Sequence, residues 1–248
     1  MKQINEQQLL FKRLNGRFVK AFVTYGLLAD DDHVLIGLSG GKDSLLLTEL
    51  LGRRARIHHP RFRVEAVHVR MENVSYETST DYLQRFCDDL QIPLHVVTTR
   101  FDASSTGSGQ TRHKPPCFLC SWNRRKQMFN LAQQLGCNKI ALGHHRDDLI
   151  HTALMNLTFQ GRFDTMPARL EMRKMPLSII RPLCLIDEAD ISRYAQLVGY
   201  EPVTKSCPYE HDTNRTSVAN LFAAMESMNP EARYSVWQAL ESAGKLLD

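Results

Sequence analysis

Six consecutive residues, Ser39-Gly40-Gly41-Lys42-Asp43-Ser44, constrain this chain more than any other feature. They lie between an apolar run, Val34-Leu35-Ile36-Gly37-Leu38, and a helical pattern over Leu45–Arg54. A short run with no polar alternation predicts a strand buried on both faces, as in parallel sheets. The two glycines let the backbone turn tightly and let a ligand approach closely. The helix that follows aims its unpaired N–H groups and the positive end of its dipole at the loop. Lys42 adds a positive charge, and Ser39 and Ser44 add hydroxyl donors. These groups together predict a phosphate site rather than a tight turn with incidental polar residues. Asp43 makes most sense in an anion site as a holder of Mg²⁺. The motif is not the common P-loop, which has four residues between its glycines and Ser or Thr after the lysine, and it is not a dinucleotide fingerprint.

The rest of the chain alternates. Residues 7–28 read as an amphipathic helix, with Leu10, Phe11, Leu14, Phe18, Phe22 and Leu27 near helical spacing, broken by Asp30-Asp31-Asp32. Further strands are expected at Val64–Val69, Leu94–Thr99, Lys139–Leu142 and Ser178–Ile180. Helices are expected over 77–90, Cys117–Leu135, Asp147–Phe159 and Glu188–Val198, and two more over 213–247, joined near Asn229-Pro230. Residues 102–114, rich in Ser, Gly and Thr, read as a loop. Residues 160–175 read as a basic connection. This order predicts an α/β fold, a parallel sheet with helices on both faces, whose ligands sit beyond the carboxyl ends of the strands. The expected organisation is an N-terminal helix (1–30), a nucleotide-binding domain (31–205) and a C-terminal helical segment (206–248).

Composition narrows the class. The chain has 248 residues, 43% of them hydrophobic, enough for one large α/β domain with a small appendage. No apolar stretch is long enough to span a bilayer, and the polar start lacks the apolar core of a secretion signal, so a cytoplasmic protein with no membrane contact is expected. The net charge of +4 permits a polyanionic partner such as RNA. Basic residues cluster at Arg53-Arg54-Ala55-Arg56, Arg112-His113-Lys114 and Arg124-Arg125-Lys126, each as readily solvated surface as a binding patch.

Six cysteines in a reducing compartment point to metal or redox chemistry rather than disulfides. Cys117-Phe118-Leu119-Cys120 follows Pro115-Pro116 at an expected helix start. Its spacing puts both sulfurs on one helix face, and the helix N-terminus with Arg124, Arg125 and Lys126 favours thiolates. Such a pair serves zinc, a redox dithiol or an iron–sulfur cluster. Cys207 supplies a third thiol. Three thiolates would leave one iron of a [4Fe–4S] cluster open to hold sulfide, a nucleophile; zinc would take a fourth ligand, and His211 is four residues on. Cys87, Cys137 and Cys184 are isolated and read as small buried side chains.

A second candidate segment, Gly143-His144-His145-Arg146-Asp147-Asp148, follows the strand Lys139–Leu142 and precedes a helix, so it is expected at the same sheet edge as the glycine loop. Gly143 allows close approach of a ligand. Asp147 suits a helix cap.

The Ser39–Ser44 motif after an apolar strand resembles that of the PP-loop ATP pyrophosphatases, which adenylate a carbonyl oxygen, release pyrophosphate and let a nucleophile displace AMP. Together with Cys117-Phe118-Leu119-Cys120, Lys139–Asp148 and Ile180-Arg181-Pro182-Leu183, the chain from about residue 12 to 207 is most similar to the tRNA 2-thiocytidine synthetase group. The resemblance implies ATP and Mg²⁺ at Ser39, Gly40, Gly41, Lys42, Asp43 and Ser44, with Asp43 on the metal. It implies a [4Fe–4S] cluster on Cys117, Cys120 and Cys207. It places Gly143 and His144 near the nucleotide, and His68, at the end of the second strand, near the adenine, where contacts are made by backbone. Lys42, Asp43 and Asp148 would be catalytic, with Asp147 the rival of Asp148, while His145 and Arg146 suit a surface or tRNA-facing role as well as catalysis. The implied reaction is ATP-dependent sulfur insertion into a tRNA pyrimidine. Its partners would be tRNA and a sulfur donor, either a cysteine desulfurase or free sulfide, with a homodimer left open. One departure is that Cys207 stands alone where the group usually has a Cys-x-x-Cys element. Other readings are an ATP-dependent enzyme acting on a small molecule, and a zinc- or cluster-stabilised RNA-binding module without turnover.

Overall fold

The computed structural model describes residues 5–72, 74–76, 79–100, 116–206 and 214–248. Cys207, His211 and the expected loop at 102–114, with its basic cluster Arg112-His113-Lys114, lie outside them. The chain falls into two units: residues 30–140 with 201–211, and residues 1–29, 141–200 and 212–248.

The first unit carries the parallel strands. Strand β1 (His33–Gly37) is buried along nearly its whole length, as its apolar run requires. It pairs in parallel with β2 (Arg63–Met71), with Leu35 opposite Glu65 and Gly37 opposite Val67. Strand β2 pairs in parallel with β4 (Leu94–Thr99), and the order in this unit is β4-β2-β1-β5, with β5 at Lys139–Ala141. A two-residue strand β3 (Ser75–Tyr76) pairs antiparallel with β8 (Lys205–Ser206), a ribbon too short for any periodic signal in the sequence. Helices α2 (Lys42–Ala55), α3 (Asp81–Asp89) and α4 (Pro116–Leu135) complete the unit. At the amino ends of the strands, Asn138 Nδ2 donates to Asp32 (2.8 Å), Lys139 Nζ meets Asp32 at 2.7 Å, and the Glu65 carboxylate bridges His33 (2.8 Å) and His95 (2.5 Å). Burial would raise the Glu65 pKa, but hydrogen bonds from His95 and His33 outweigh it and hold the group below its usual value.

The second unit is mainly helical. Helix α1 (Glu6–Tyr25) starts at Asn5, whose side chain accepts from Gln8 N–H at 2.9 Å, and stops at Gly26 in the left-handed conformation (φ 57°). It therefore ends before the three aspartates expected to break it. Its buried stripe is Leu10, Leu14, Phe18, Ala21, Phe22 and Tyr25. Its outer arginines tie it to α6 (Glu188–Val198), with Arg17 meeting Asp187 (2.8 Å) and Asp190 (3.0 Å). Helix α5 (Arg146–Gln160) packs with α7 (Asn214–Met228) and α8 (Ala232–Ser242).

Two expectations need correction here. The stretch 160–175 is not purely a connection, because it holds strand β6 (Arg169–Glu171). That strand runs antiparallel to β7 (Ser178–Ile180), so the sheet is mostly rather than wholly parallel. Three residues, two of them charged, give no alternation to read. The chain end covers this edge: Ala168 N–H donates to Leu246 O at 2.7 Å, and Arg169 bridges Leu247 in parallel. Among the described residues, no helix is long and apolar enough to cross a membrane.

Candidate active site

The glycine loop leaves β1 under tight backbone control. Leu38 N–H donates to Val67 O (2.9 Å), and the Leu38 carbonyl accepts from His68 Nδ1 (2.8 Å). A carbonyl only accepts, so His68 carries its proton on Nδ1 and Nε2 is the acceptor nitrogen. Burial pushes the His68 pKa down, and the charges of Arg124 and Arg70 add to this, so the ring is neutral near pH 7. His68 is thus a buried strut beneath the loop entrance, a role its place in an apolar strand did not reveal.

Within the loop the serines fix the backbone. Ser44 Oγ donates to Gly41 O (2.9 Å), accepts from Gly40 N–H (3.2 Å) and lies 3.1 Å from Ser39 Oγ. Ser39 Oγ also accepts from Gly41 N–H (3.3 Å). The two glycines have different reasons to be glycine. Gly40 has φ +88°, and a Cβ there would meet Val203 Cγ2 at 2.4 Å; its carbonyl accepts from Val203 N–H (3.0 Å). Gly41 has φ −80°, and a Cβ would meet nothing nearer than Ser39 Oγ at 3.6 Å. The fold does not require glycine at Gly41, and close approach of a ligand from outside would. Gly41 is also the N-cap of α2, so the positive end of that helix opens beside it. Lys42 Nζ lies 3.4 Å from Asp43 Oδ1, with both side chains about one-third exposed. A lysine and a partly exposed carboxylate at a helix N-terminus suit a phosphate accompanied by Mg²⁺.

The same unit carries the paired cysteines. Cys117 is exposed and Cys120 half-buried in the first two turns of α4, where Leu119 and Cys120 pack against Met71 and Val74. Strand β3 begins at the next residue, Ser75, which pairs with Ser206, the residue before Cys207 in sequence. Among the described residues, no three His, Cys, Asp or Glu side chains gather as a metal site. The isolated cysteines are buried, as expected, and burial pushes their thiols up to about 12 for Cys87 and Cys184 and about 11 for Cys137, which keeps them protonated and inert.

The segment Gly143–Asp148 belongs to the second unit. Gly143 and His144 are half-buried between β5 and α5, and His145 is the N-cap of α5. The cap is made by Asp148, not by Asp147 as expected: Asp148 Oδ2 accepts from His145 N–H at 3.1 Å. Asp147 instead faces other elements. It accepts from the Arg233 guanidinium of α8 and from Glu188 N–H of α6 (2.8 Å), and lies 3.4 Å from His145 Nδ1. Burial would raise its pKa, but the bonds from His145, Arg233 and Glu188 N–H outweigh that and hold it well below the usual carboxylate range. Arg233 also reaches Glu226 of α7 (2.8 and 3.0 Å), and Arg146 binds Asp187 (2.6 Å). Arg181, from the Ile180–Leu183 motif, is buried, donates to Pro167 O, and has its pKa lowered to about 10 by burial, an effect that the Asp148 carboxylate opposes. Its guanidinium is a further candidate that the sequence signalled only through its motif.

Comparison with known proteins places this geometry in a lineage. A family model described as a PP-loop domain matches residues 12–224. The tRNA-cytidine(32) 2-sulfurtransferase of Dechloromonas aromatica is 32% identical over 96% of this chain and 82% of its own. That of Pelobacter propionicus is 34% identical over 94% and 86%. Among solved structures, the U34-tRNA thiolase NcsA from Methanococcus maripaludis, determined with its [4Fe-4S] cluster, shares the fold with a TM-score of 0.75 at 24% identity, over 98% of this chain and 81% of that one. With a loop built for phosphate and relatives aligned along nearly its whole length, the chain belongs to the PP-loop family, in the group of the tRNA-cytidine(32) 2-sulfurtransferases.

Proposed function

We propose that this protein is a cytoplasmic, ATP-dependent tRNA sulfurtransferase that activates a pyrimidine carbonyl, at cytidine C2 as in the names of its relatives, and replaces the oxygen with sulfur. The observation that carries the ATP half is Gly41, a glycine the fold itself does not need, at the mouth of a helix beside Lys42 and Asp43. In this reading Mg·ATP lies along Ser39–Ser44, with Asp43 holding the metal. The base oxygen attacks the α-phosphorus, pyrophosphate leaves, and the loop N–H groups and Lys42 stabilise the charge that builds on it. A sulfur nucleophile then adds to the activated carbon, and AMP departs. Its source is a cysteine desulfurase or free sulfide. Asp148 is the proposed catalytic carboxylate of the second segment, with Gly143 and His144 toward the nucleotide. Asp147, committed to Arg233 and Glu188 N–H, is a structural tie.

The donor set fits an iron–sulfur group. Two cysteines share one helical turn, one of them exposed, and the pairing of Ser206 with Ser75 brings the chain preceding Cys207 to the residues that pack on Cys120. Cys117, Cys120 and Cys207 would hold a [4Fe–4S] cluster, which when bound supplies a site for the incoming sulfur.

The test is anaerobic incubation with ATP, sulfide and unmodified tRNA. Pyrophosphate release that depends on tRNA, with a thiolated pyrimidine found by nucleoside mass spectrometry, is the expected result. Pyrophosphate release without tRNA would transfer the reading to a small-molecule substrate. A colourless, anaerobically purified protein holding stoichiometric zinc would remove the cluster.

A further inference from the structure

The first turns of α4 have two faces. Leu119 and Cys120 turn onto Met71 and Val74, whereas Phe118 and Trp122 remain 44% and 49% exposed. Four residues apart, these two aromatics stand one above the other on a single face, and the exposed Arg125 continues the line three residues on. Lys126 Nζ lies 5.4 Å from the centroid of the Trp122 ring, a cation–π arrangement that orients the indole and sets a charge beside it.

We propose that Phe118 and Trp122, with Arg125 and Lys126, form a stacking platform for unpaired nucleotides of tRNA that flank the reacting pyrimidine. The inference rests on the sulfurtransferase reading and adds a recognition surface to it. Charge identifies the occupant: α4 contains three basic residues and no acidic one over its whole length, which suits a polyanion. Ring chemistry identifies its form, because aromatic faces stack on any base that has left a duplex, whereas paired RNA keeps its base faces covered and its major groove too narrow to enter. Position identifies the nucleotides. Phe118 adjoins Cys117, and Trp122 lies four residues, about 6 Å, further along the helix, so bases held here neighbour the base receiving sulfur. The other described basic cluster lacks these features: Arg53 is paired with Glu49 (2.7 Å), Arg54 donates to His59 O and Arg56 to Asp89 O (3.2 Å).

The chain has two tryptophans, and Trp237 is buried, so the Trp237→Phe variant leaves Trp122 as the reporting indole. Titration with unmodified tRNA transcript is expected to quench its emission, and a blunt RNA duplex is not. Trp122→Ala should weaken tRNA binding about 5- to 150-fold, with Trp122→Phe restoring most of it. The salt slope should be unchanged in Trp122→Ala and lowered by about one in Lys126→Ala. Wild-type tRNA affinity in Trp122→Ala, or equal quenching by duplex, overturns the platform while leaving the sulfurtransferase reading intact. A dimer that Trp122→Ala disperses without change in tRNA affinity assigns this face to a second copy and also overturns it. Absence of tRNA binding by the unaltered protein overturns both.

Discussion

The turn from β1 into α2 and the turn from β5 into α5 both pass from a strand, through glycine, into a helix with acid in its first turn. Their carboxylates keep different company. Asp43 is about one-third exposed beside Lys42, in a loop whose backbone is held by two serine hydroxyls. Asp147 is buried and bound by Arg233 from α8 and a backbone N–H of α6, while its neighbour Asp148 closes the helix cap. A carboxylate whose oxygens are spent on distant protein groups fastens helices together. One displayed beside a lysine at the mouth of a glycine loop is, on the proposed reading, the one that meets an external cation. The same local pattern thus serves assembly in one place and, on the proposed reading, chemistry in the other.

The largest effect should come from the fastening carboxylate. Removing one member of a buried ion pair costs about 3–5 kcal/mol, so Asp147→Ala is expected to lower the thermal midpoint by roughly 6–20 °C at this chain length. Calorimetry should show this. A midpoint unchanged within a degree would break the contrast. Lys42→Ala should do the reverse. Pyrophosphate release should fall about 100- to 1000-fold, the usual loss for one donor to a developing oxyanion, with the midpoint nearly unmoved.

The two glycines sharpen the comparison inside the loop. Gly40→Ala forces a Cβ into Val203 at positive φ, so stability should drop by about 2–5 kcal/mol from backbone strain and overpacking combined. Gly41→Ala should leave stability equal or raise it by about 0.4–1 kcal/mol, yet weaken ATP binding measured by calorimetry. Equal loss of stability in both variants would show that the fold needs both glycines.

The last effect appears only in acid. The native pKa of Asp147 lies below the unfolded value of about 3.9. Its contribution is therefore complete above that pH and is lost as pH falls below it toward the native pKa. Urea midpoints of the parent and Asp147→Asn should converge as pH falls below about 4. Glu65, also lowered, adds to acid sensitivity in the same direction.

What the sequence made legible was local. The loop could be read because six adjacent residues suit one ligand, β1, β4 and α6 because each is a continuous run of one period, and β7 because an apolar pair, Ile179-Ile180, stops at Pro182. Helix α2 begins at Lys42 rather than Leu45, since its start is set by Gly41 as cap and not by the first apolar residue. Strands β3, β6 and β8 are two or three residues long and, unlike the equally short β7, hold no adjacent apolar pair. The role of Asp147 was hidden because Arg233 is remote in the chain, and no local pattern distinguishes a capping aspartate from one that reaches across a unit. The downward shift of His68 comes mainly from burial, which exists only once the chain is folded, with a smaller push from Arg124 of a helix the strand does not adjoin in sequence.

Val203 leans into the space that a side chain at Gly40 would fill, and its N–H closes on the Gly40 carbonyl. One wall of the glycine loop is therefore borrowed from a segment that the ribosome makes long after the loop itself. A nascent or truncated chain that stops at β5 has every letter of the phosphate motif and lacks that wall. The motif is thus a promise that the chain keeps only after residue 203 has been synthesised.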